Sequence, residues 1–161
     1  MKKFIVVPIL AVFVVSLFMI VSCAGTSSLK DSEAVFGNIE GKQWLLSELR
    51  SGGSVITDRN KLNASGMGEI YTISFKDGRV SGMGAPNRFF GPYTSSENKA
   101  LKIGDVASTL MAALKEPDGL KENEYFRLLS KVTRWDIKDG KLRLYSSNSS
   151  GAETILVFTS K

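Results

Sequence analysis

The chain holds few residues suited to chemistry. It contains no histidine and a single cysteine, Cys23. Missing histidine removes the commonest general base, the commonest metal ligand and the usual partner of a nucleophilic Ser or Cys. A lone cysteine makes neither an intramolecular disulfide nor a cysteine-based metal site. No metal site and no cofactor is expected. Two carboxylate pairs are candidates for acid–base work: Glu122 with Glu124, and Asp136 with Asp139. Glu122 and Glu124 stand two apart and so do not share a helix face. Asp139 precedes Gly140 in a turn signal. All four carboxylates are expected on solvated surface, and no catalytic residue is expected. The glycines Gly82, Gly84 and Gly91 match neither a P-loop nor a dinucleotide fingerprint, and no Gly-Lys-Ser/Thr follows. They read as structural glycines at turns, bulges and close backbone contacts.

The cysteine sits where chemistry is nonetheless expected. Lys2 and Lys3 precede an uncharged run, Phe4 to Val21, broken only by Pro8 and Ser16. The run ends Ile20-Val21-Ser22-Cys23-Ala24-Gly25. That ending resembles the bacterial lipobox. The resemblance implies cleavage between Ser22 and Cys23 and a diacylglyceryl group on the Cys23 thiol. A run of about 18 residues is near the lower limit for a spanning helix, so length alone leaves an uncleaved anchor open. The position of the only Cys after a small residue, with a polar Ser-rich stretch following, favours the lipid anchor. Two or more acyl chains attach a protein stably without any apolar surface on its folded part. The expected organisation is a signal peptide over 1–22, a flexible tether over 23–40 and one domain over 41–161. The expected location is the cell envelope, on either membrane.

Charge excludes another class of partner. The 21 basic residues lose Lys2 and Lys3 with the signal, leaving 19 against 16 acidic ones, a net +3. The basic residues are spaced singly, as at Lys99, Lys102, Lys115, Lys121, Arg127 and Lys131. Nucleic-acid binding requires a concentrated basic patch, and none is expected here.

The elements that hold these residues read mostly as strands. Tyr71, Ile73 and Phe75 alternate with Thr72 and Ser74, the period of a half-buried strand. Asp77-Gly78 then predicts a tight hairpin, because that turn needs positive φ. The pattern recurs with Trp135 and Ile137, Asp139-Gly140, and Leu142 and Leu144. A turn at 148–151 leads to a last strand over 154–159. Between the two sheet regions, Tyr125, Leu128, Leu129 and Val132 share one face of an amphipathic helix over 120–132. Asp118 is the expected N-cap, and 105–114 reads as a short helix. The expected fold class is α+β, a strongly curved and mostly antiparallel sheet.

The segment from Val80 to Tyr93, VSGMGAPNRFFGPY, resembles the signature of the META domain family of HslJ-like bacterial lipoproteins, V-x-G-x-x-G-C-N-x-F-x-G-x-Y. Gly82, Asn87, Phe89, Gly91 and Tyr93 match it. Trp44-Leu45-Leu46 resembles the family's opening W-x-L, and Thr109 to Ala113 its T-x-M-A-C. Pro86 and Ala113 stand where the family has cysteines, so a crosslink open to other members is closed to this chain. The resemblance implies a partly open barrel with one main helix packed against it. Asn87 and Tyr93 are candidates to line a ligand site; the favoured reading of the signature residues is structural, with Asn87 bonding nearby backbone and Tyr93 packed with its hydroxyl satisfied. The resemblance implies fold and location more than activity; together with the lipobox and the missing histidine it leads to the expectation of a non-enzymatic envelope protein that binds another envelope component or supports stress tolerance. The alternative is a carrier of a lipid or small apolar ligand inside the curved sheet, which requires a continuous apolar cavity under the helix.

Overall fold

The computed structural model describes residues 35–161. The expected signal over 1–22, the expected cleavage between Ser22 and Cys23, the expected lipid position Cys23 and the expected tether up to residue 34 lie outside the described residues. Among the described residues there are ten antiparallel strands: β1 (Gln43–Ser51), β2 (Ser54–Asp58), β3 (Thr72–Lys76), β4 (Arg79–Met83), β5 (Arg88–Ser96), β6 (Ala100–Ile103), β7 (Ala107–Ser108), β8 (Arg134–Lys138), β9 (Lys141–Ser147) and β10 (Glu153–Ser160). Two helices accompany them, α1 (Arg59–Ala64) and α2 (Glu122–Ser130).

The curved sheet goes further than the expected partly open barrel and closes. The path runs β10-β9-β8-β6-β5-β4-β3-β1, and β1 pairs with β10 from Trp44↔Ser160 to Ser51↔Thr154. The remaining strands hang outside this ring of eight, β2 on β1 and β7 on β5. A bulge in β1 supplies part of the curvature. The register shifts between Leu46 and Glu48, and the extra residue Ser47 donates its hydroxyl to the Val157 carbonyl at 3.0 Å. A bulge bends a strand and raises its twist. The ring is thinnest between β6 and β8, where Ala100↔Arg134 is the one ladder pair, flanked by two backbone hydrogen bonds, Leu101 N–H to Thr133 O and Trp135 N–H to Lys99 O.

The hairpins follow from the turn residues. Asp77 and Gly78 have φ of 49° and 74°, and Asp139 and Gly140 have 54° and 72°, the left-handed pair that a two-residue hairpin demands. The β5–β6 turn has the same geometry with Asn98 and Lys99 (58° and 59°) and no glycine. At the β9–β10 turn, Asn148 Oδ1 accepts from the Ser150 and Ala152 amides. Burial then alternates along β5, with Phe89, Gly91 and Tyr93 inward.

Eight strands enclose a space that side chains just fill, and they fill it here. Ile73, Phe75, Val80, Leu101, Ile103, Leu142, Leu144, Leu156 and Phe158 are all almost fully buried. At one end, the helix end, α2 lies across the mouth with Tyr125, Leu128 and Leu129 inward. At the opposite, entry end, the chain comes in through a 3-10 turn at Phe36–Asn38. Phe36 packs on Phe75, Tyr93 and Trp135 at 5.1–5.4 Å. Ile39 is fully buried, and the Trp44 indole donates to its carbonyl. Residues 36–40, expected in the tether, are therefore a plug of the domain. The polar text around them hid an apolar pair, Phe36 and Ile39, that the core needs.

Three local expectations change. The α2 helix begins two residues late, with Lys121 as N-cap. Asp118 does not cap it; its carbonyl accepts from Thr57 Oγ1 at 3.2 Å. Residues 105–114 form no helix but the short β7 and an irregular loop. Tyr71 precedes β3 with φ of 58°, a conformation that opposes a bulky side chain. It is held there by full burial, by packing against the tilted Tyr125 ring with centres 4.8 Å apart, and by a hydroxyl bond to the Leu120 carbonyl.

Candidate functional site

The five signature residues are spread across both ends of the barrel. Gly82 leaves room for backbone: a Cβ there would lie 2.0 Å from the Thr72 carbonyl and 2.8 Å from the Phe89 ring. Gly91 does the same against the Asp105 carbonyl at 2.8 Å. Phe89 packs on Tyr125 and Phe126 under the helix. Tyr93 sits at the entry end against Phe36 and Phe75, its hydroxyl donating to Glu40. Burial, then the Glu40 acceptor, pushes the Tyr93 phenol up to about 12.

Asn87 belongs to the helix end, and it is the centre of the site. It is 5% exposed and uses its whole amide. Nδ2 donates to Glu122 Oε2 at 2.6 Å and to the Met111 carbonyl at 3.1 Å. Oδ1 accepts from the Met111 amide at 2.7 Å and from Thr109 Oγ1 at 2.8 Å. Glu122 Oε1 accepts from the Ala85 and Asn87 amides at 2.5 and 2.7 Å. Glu122 was expected on solvated surface; it is instead the half-buried anchor joining α2 to the β4–β5 connection. No spacing in the sequence marks that role, because its partners lie 35 and 37 residues away. Gly84 makes the contact possible, since a Cβ there would meet Glu122 Oε1 at 2.6 Å.

The brace fixes a loop whose side chains have nothing to pack on. Residues 107–116 are exposed throughout. Within them Leu110 is 98% exposed, Met111 62% and Leu114 104%. The helix-forming Ala and Met residues expected to make a helix here are overridden: Asn87 captures the Met111 backbone, and the Thr109 amide donates to the Arg88 carbonyl. The result is an apolar crest at the helix end, held by buried polar groups. Beside it, Val55 and Ile56 of β2 are also about 40% exposed. A groove of about 740 Å³ runs between β2, the 116–121 loop and the start of α2, with Leu49, Leu120 and Leu128 in its floor.

The carboxylates proposed for acid–base chemistry all have other work. Glu124 pairs with Arg127, Asp136 with Arg143 and Tyr145, and Asp139 makes the β8–β9 turn. No cluster of three metal-ligating residues occurs among the described residues. One cation is structural: Arg59 donates to the carbonyls of Leu46, Gly68 and Ile70, tying the loop before β3 to β1. Its partial burial lowers its pKa. Sequence reading passed over Arg59, whose three acceptors are all backbone atoms.

A closed antiparallel barrel with one helix across its mouth, whose polar centre braces a loop, defines a scaffold class. The chain belongs to the META domain family, whose profile matches residues 37–160. No curated protein matches the chain in sequence. Solved structures share the fold, two of them as follows. One is an NMR structure of a protein from Burkholderia xenovorans, 21% identical, covering 82% of this chain and 96% of its own, with a TM-score of 0.56. The other is a DUF4847 family protein from Bacteroides vulgatus, 14% identical, covering 78% and 96%, with a TM-score of 0.53.

Proposed function

We propose that the protein is a non-enzymatic bacterial envelope lipoprotein, held by lipid on Cys23, that docks another envelope protein through the crest at its helix end. The observation that carries this reading is the braced exposure of Leu110, Met111 and Leu114. Full burial of such a side chain is worth about 1.5–3 kcal/mol, and a buried amide spends its hydrogen bonds keeping these three in water. The crest lies at the end of the barrel opposite the Phe36–Ile39 plug. The carboxylates engaged elsewhere and the missing histidine support a non-enzymatic role. The filled barrel interior argues against the carrier alternative, which needs a cavity under α2.

The test places a photo-crosslinking residue at Leu114, and separately at exposed Lys102, in the native host. The reading expects one discrete protein adduct at 114, none at 102, and loss of the adduct in Asn87→Ala. Adducts to lipid alone at 114, or equal labelling at both positions, refute it. The anchor is tested by intact mass of the membrane-purified protein beside Cys23→Ala. An unmodified chain retaining residues 1–22 refutes the lipid.

A further inference from the structure

A second surface lies on the outer wall of the barrel, away from the crest. Register across β1, β3, β4 and β5 sets the outward residues in rows. Gln43 pairs with Ser74, Ser74 with Ser81, and Ser81 with Phe90. This middle row is therefore an amide, two hydroxyls and an aromatic ring. The row on one side is Thr72, Met83 and Arg88; on the other it is Lys76, Arg79 and Pro92. A trough of about 490 Å³ lies over the middle row and the Thr72, Met83 and Arg88 side of it, with Glu69 and Lys161 in its far wall; Arg79 stands beside it, next to Phe90. Phe90 walls one end, 51% exposed, with the Arg79 guanidinium 5.3 Å from its ring centre. Arg79 and Arg88 form no ion pair among the described residues, while Lys161 at the other end is paired with Glu69.

We infer that this trough binds an acidic glycan. The chemistry of the rows matches such a ligand group by group. Ser74, Ser81 and Gln43 offer donors and acceptors to ring hydroxyls. Phe90 is half exposed with the Arg79 guanidinium over one face; its other face, electron-rich above its plane, suits the C–H face of a pyranose. Arg79 and Arg88 present planar forks for carboxylates. Three strand spacings of roughly 4.8 Å give about 14 Å of floor, enough for a short oligosaccharide lying across the strands. The floor is too polar for an apolar protein interface, and a purely electrostatic anion site would not need the ring.

The experiment is calorimetric titration of the full chain, purified in detergent, with trigalacturonate, soluble muramyl oligosaccharides, neutral maltotriose and inorganic triphosphate. At least one of the two acidic sugars binds, and maltotriose binds at least tenfold more weakly. Phe90→Ala weakens binding at least tenfold, Phe90→Tyr retains it, and the Arg79→Glu/Arg88→Glu pair abolishes it. All three positions are exposed on the outer wall, so the variants keep the wild-type circular dichroism. Binding to neither acidic sugar overturns the inference, as does a Phe90→Ala variant that binds like wild type. Triphosphate binding as tight as sugar, and indifferent to Phe90, reduces the trough to simple charge and also overturns it. A Leu110→Glu/Leu114→Glu variant binds the sugar normally, which separates this site from the crest.

Discussion

Removing Asn87 tests whether the signature exists to hold the crest. Asn87→Ala deletes four hydrogen bonds. The bond to the Glu122 carboxylate is charge-assisted and worth about 1.5–3 kcal/mol. The bonds to Thr109 and Met111 end on an exposed loop where water replaces them, so they add about 0.5–1 kcal/mol together. The expected loss is about 2–4 kcal/mol, a large part of the 5–15 kcal/mol typical of a domain, which leaves the variant folded. For this size the melting temperature falls by roughly 10–15 °C. Urea denaturation gives the free energy, and amide hydrogen exchange across 109–114 gives its location. The loop exchanges faster in the variant while β9 and β10 keep their protection. Glu122→Gln puts an NH₂ group against N–H donors and costs a similar amount. The double variant loses less than the sum, with a coupling of about 1–2 kcal/mol. A loss below about 0.5 kcal/mol for Asn87→Ala, or unchanged exchange in 109–114, refutes the brace.

Other perturbations address other parts of the fold. Gly82→Ala forces a Cβ onto the Thr72 carbonyl, which strand pairing cannot move; it costs at least about 3 kcal/mol or abolishes folding, read by denaturation. Arg59→Met leaves three carbonyls without their donor and costs about 2–4 kcal/mol, with the 66–70 loop exchanging fastest. A chain beginning at Gly41 lacks Phe36 and Ile39 and melts lower than one beginning at Val35; equal melting temperatures refute the plug. All four tyrosines have raised pKa values, chiefly through burial. A phenol whose folded pKa lies above its free value near 10 stabilises the fold fully below pH 10. That contribution is lost as pH rises through the folded value, about 12 for Tyr93. Tyrosinate absorbance of the folded protein therefore rises only above pH 10, Tyr93 ionising near 12. A tyrosine titrating near 10 in the folded protein contradicts this.

Local pattern foretold the parts of the fold that are local. Asp77-Gly78 and Asp139-Gly140 specify their turns in two residues, and both hairpins form as expected. The Tyr125, Leu128, Leu129 and Val132 stripe faces the core. Features decided by distant partners were not legible. Closure depends on β1 meeting β10, more than a hundred residues apart. The 109–114 loop has helical composition, yet its backbone is captured by Asn87, some 24 residues earlier. Glu122 looks like any acid in a first helical turn, and only the folded chain shows the amides it receives. The resemblance supplied what pattern did not, the barrel and the importance of Asn87, without stating what Asn87 holds.

The way the chain joins the barrel has a mechanical consequence. The first strand after the entry plug, β1, is bonded along its length to β10 on one side and to β3 and then β2 on the other. A pull on the amino-terminal chain acts along the axis of β1. It loads both ladders in shear, so many hydrogen bonds must fail together rather than one after another as in unzipping. The carboxyl end closes the same seam, with the Lys161 amide donating to the Gln43 carbonyl. Load entering from the amino-terminal side of the domain thus meets its most heavily bonded strand directly after the plug, rather than the single-pair junction of β6 and β8.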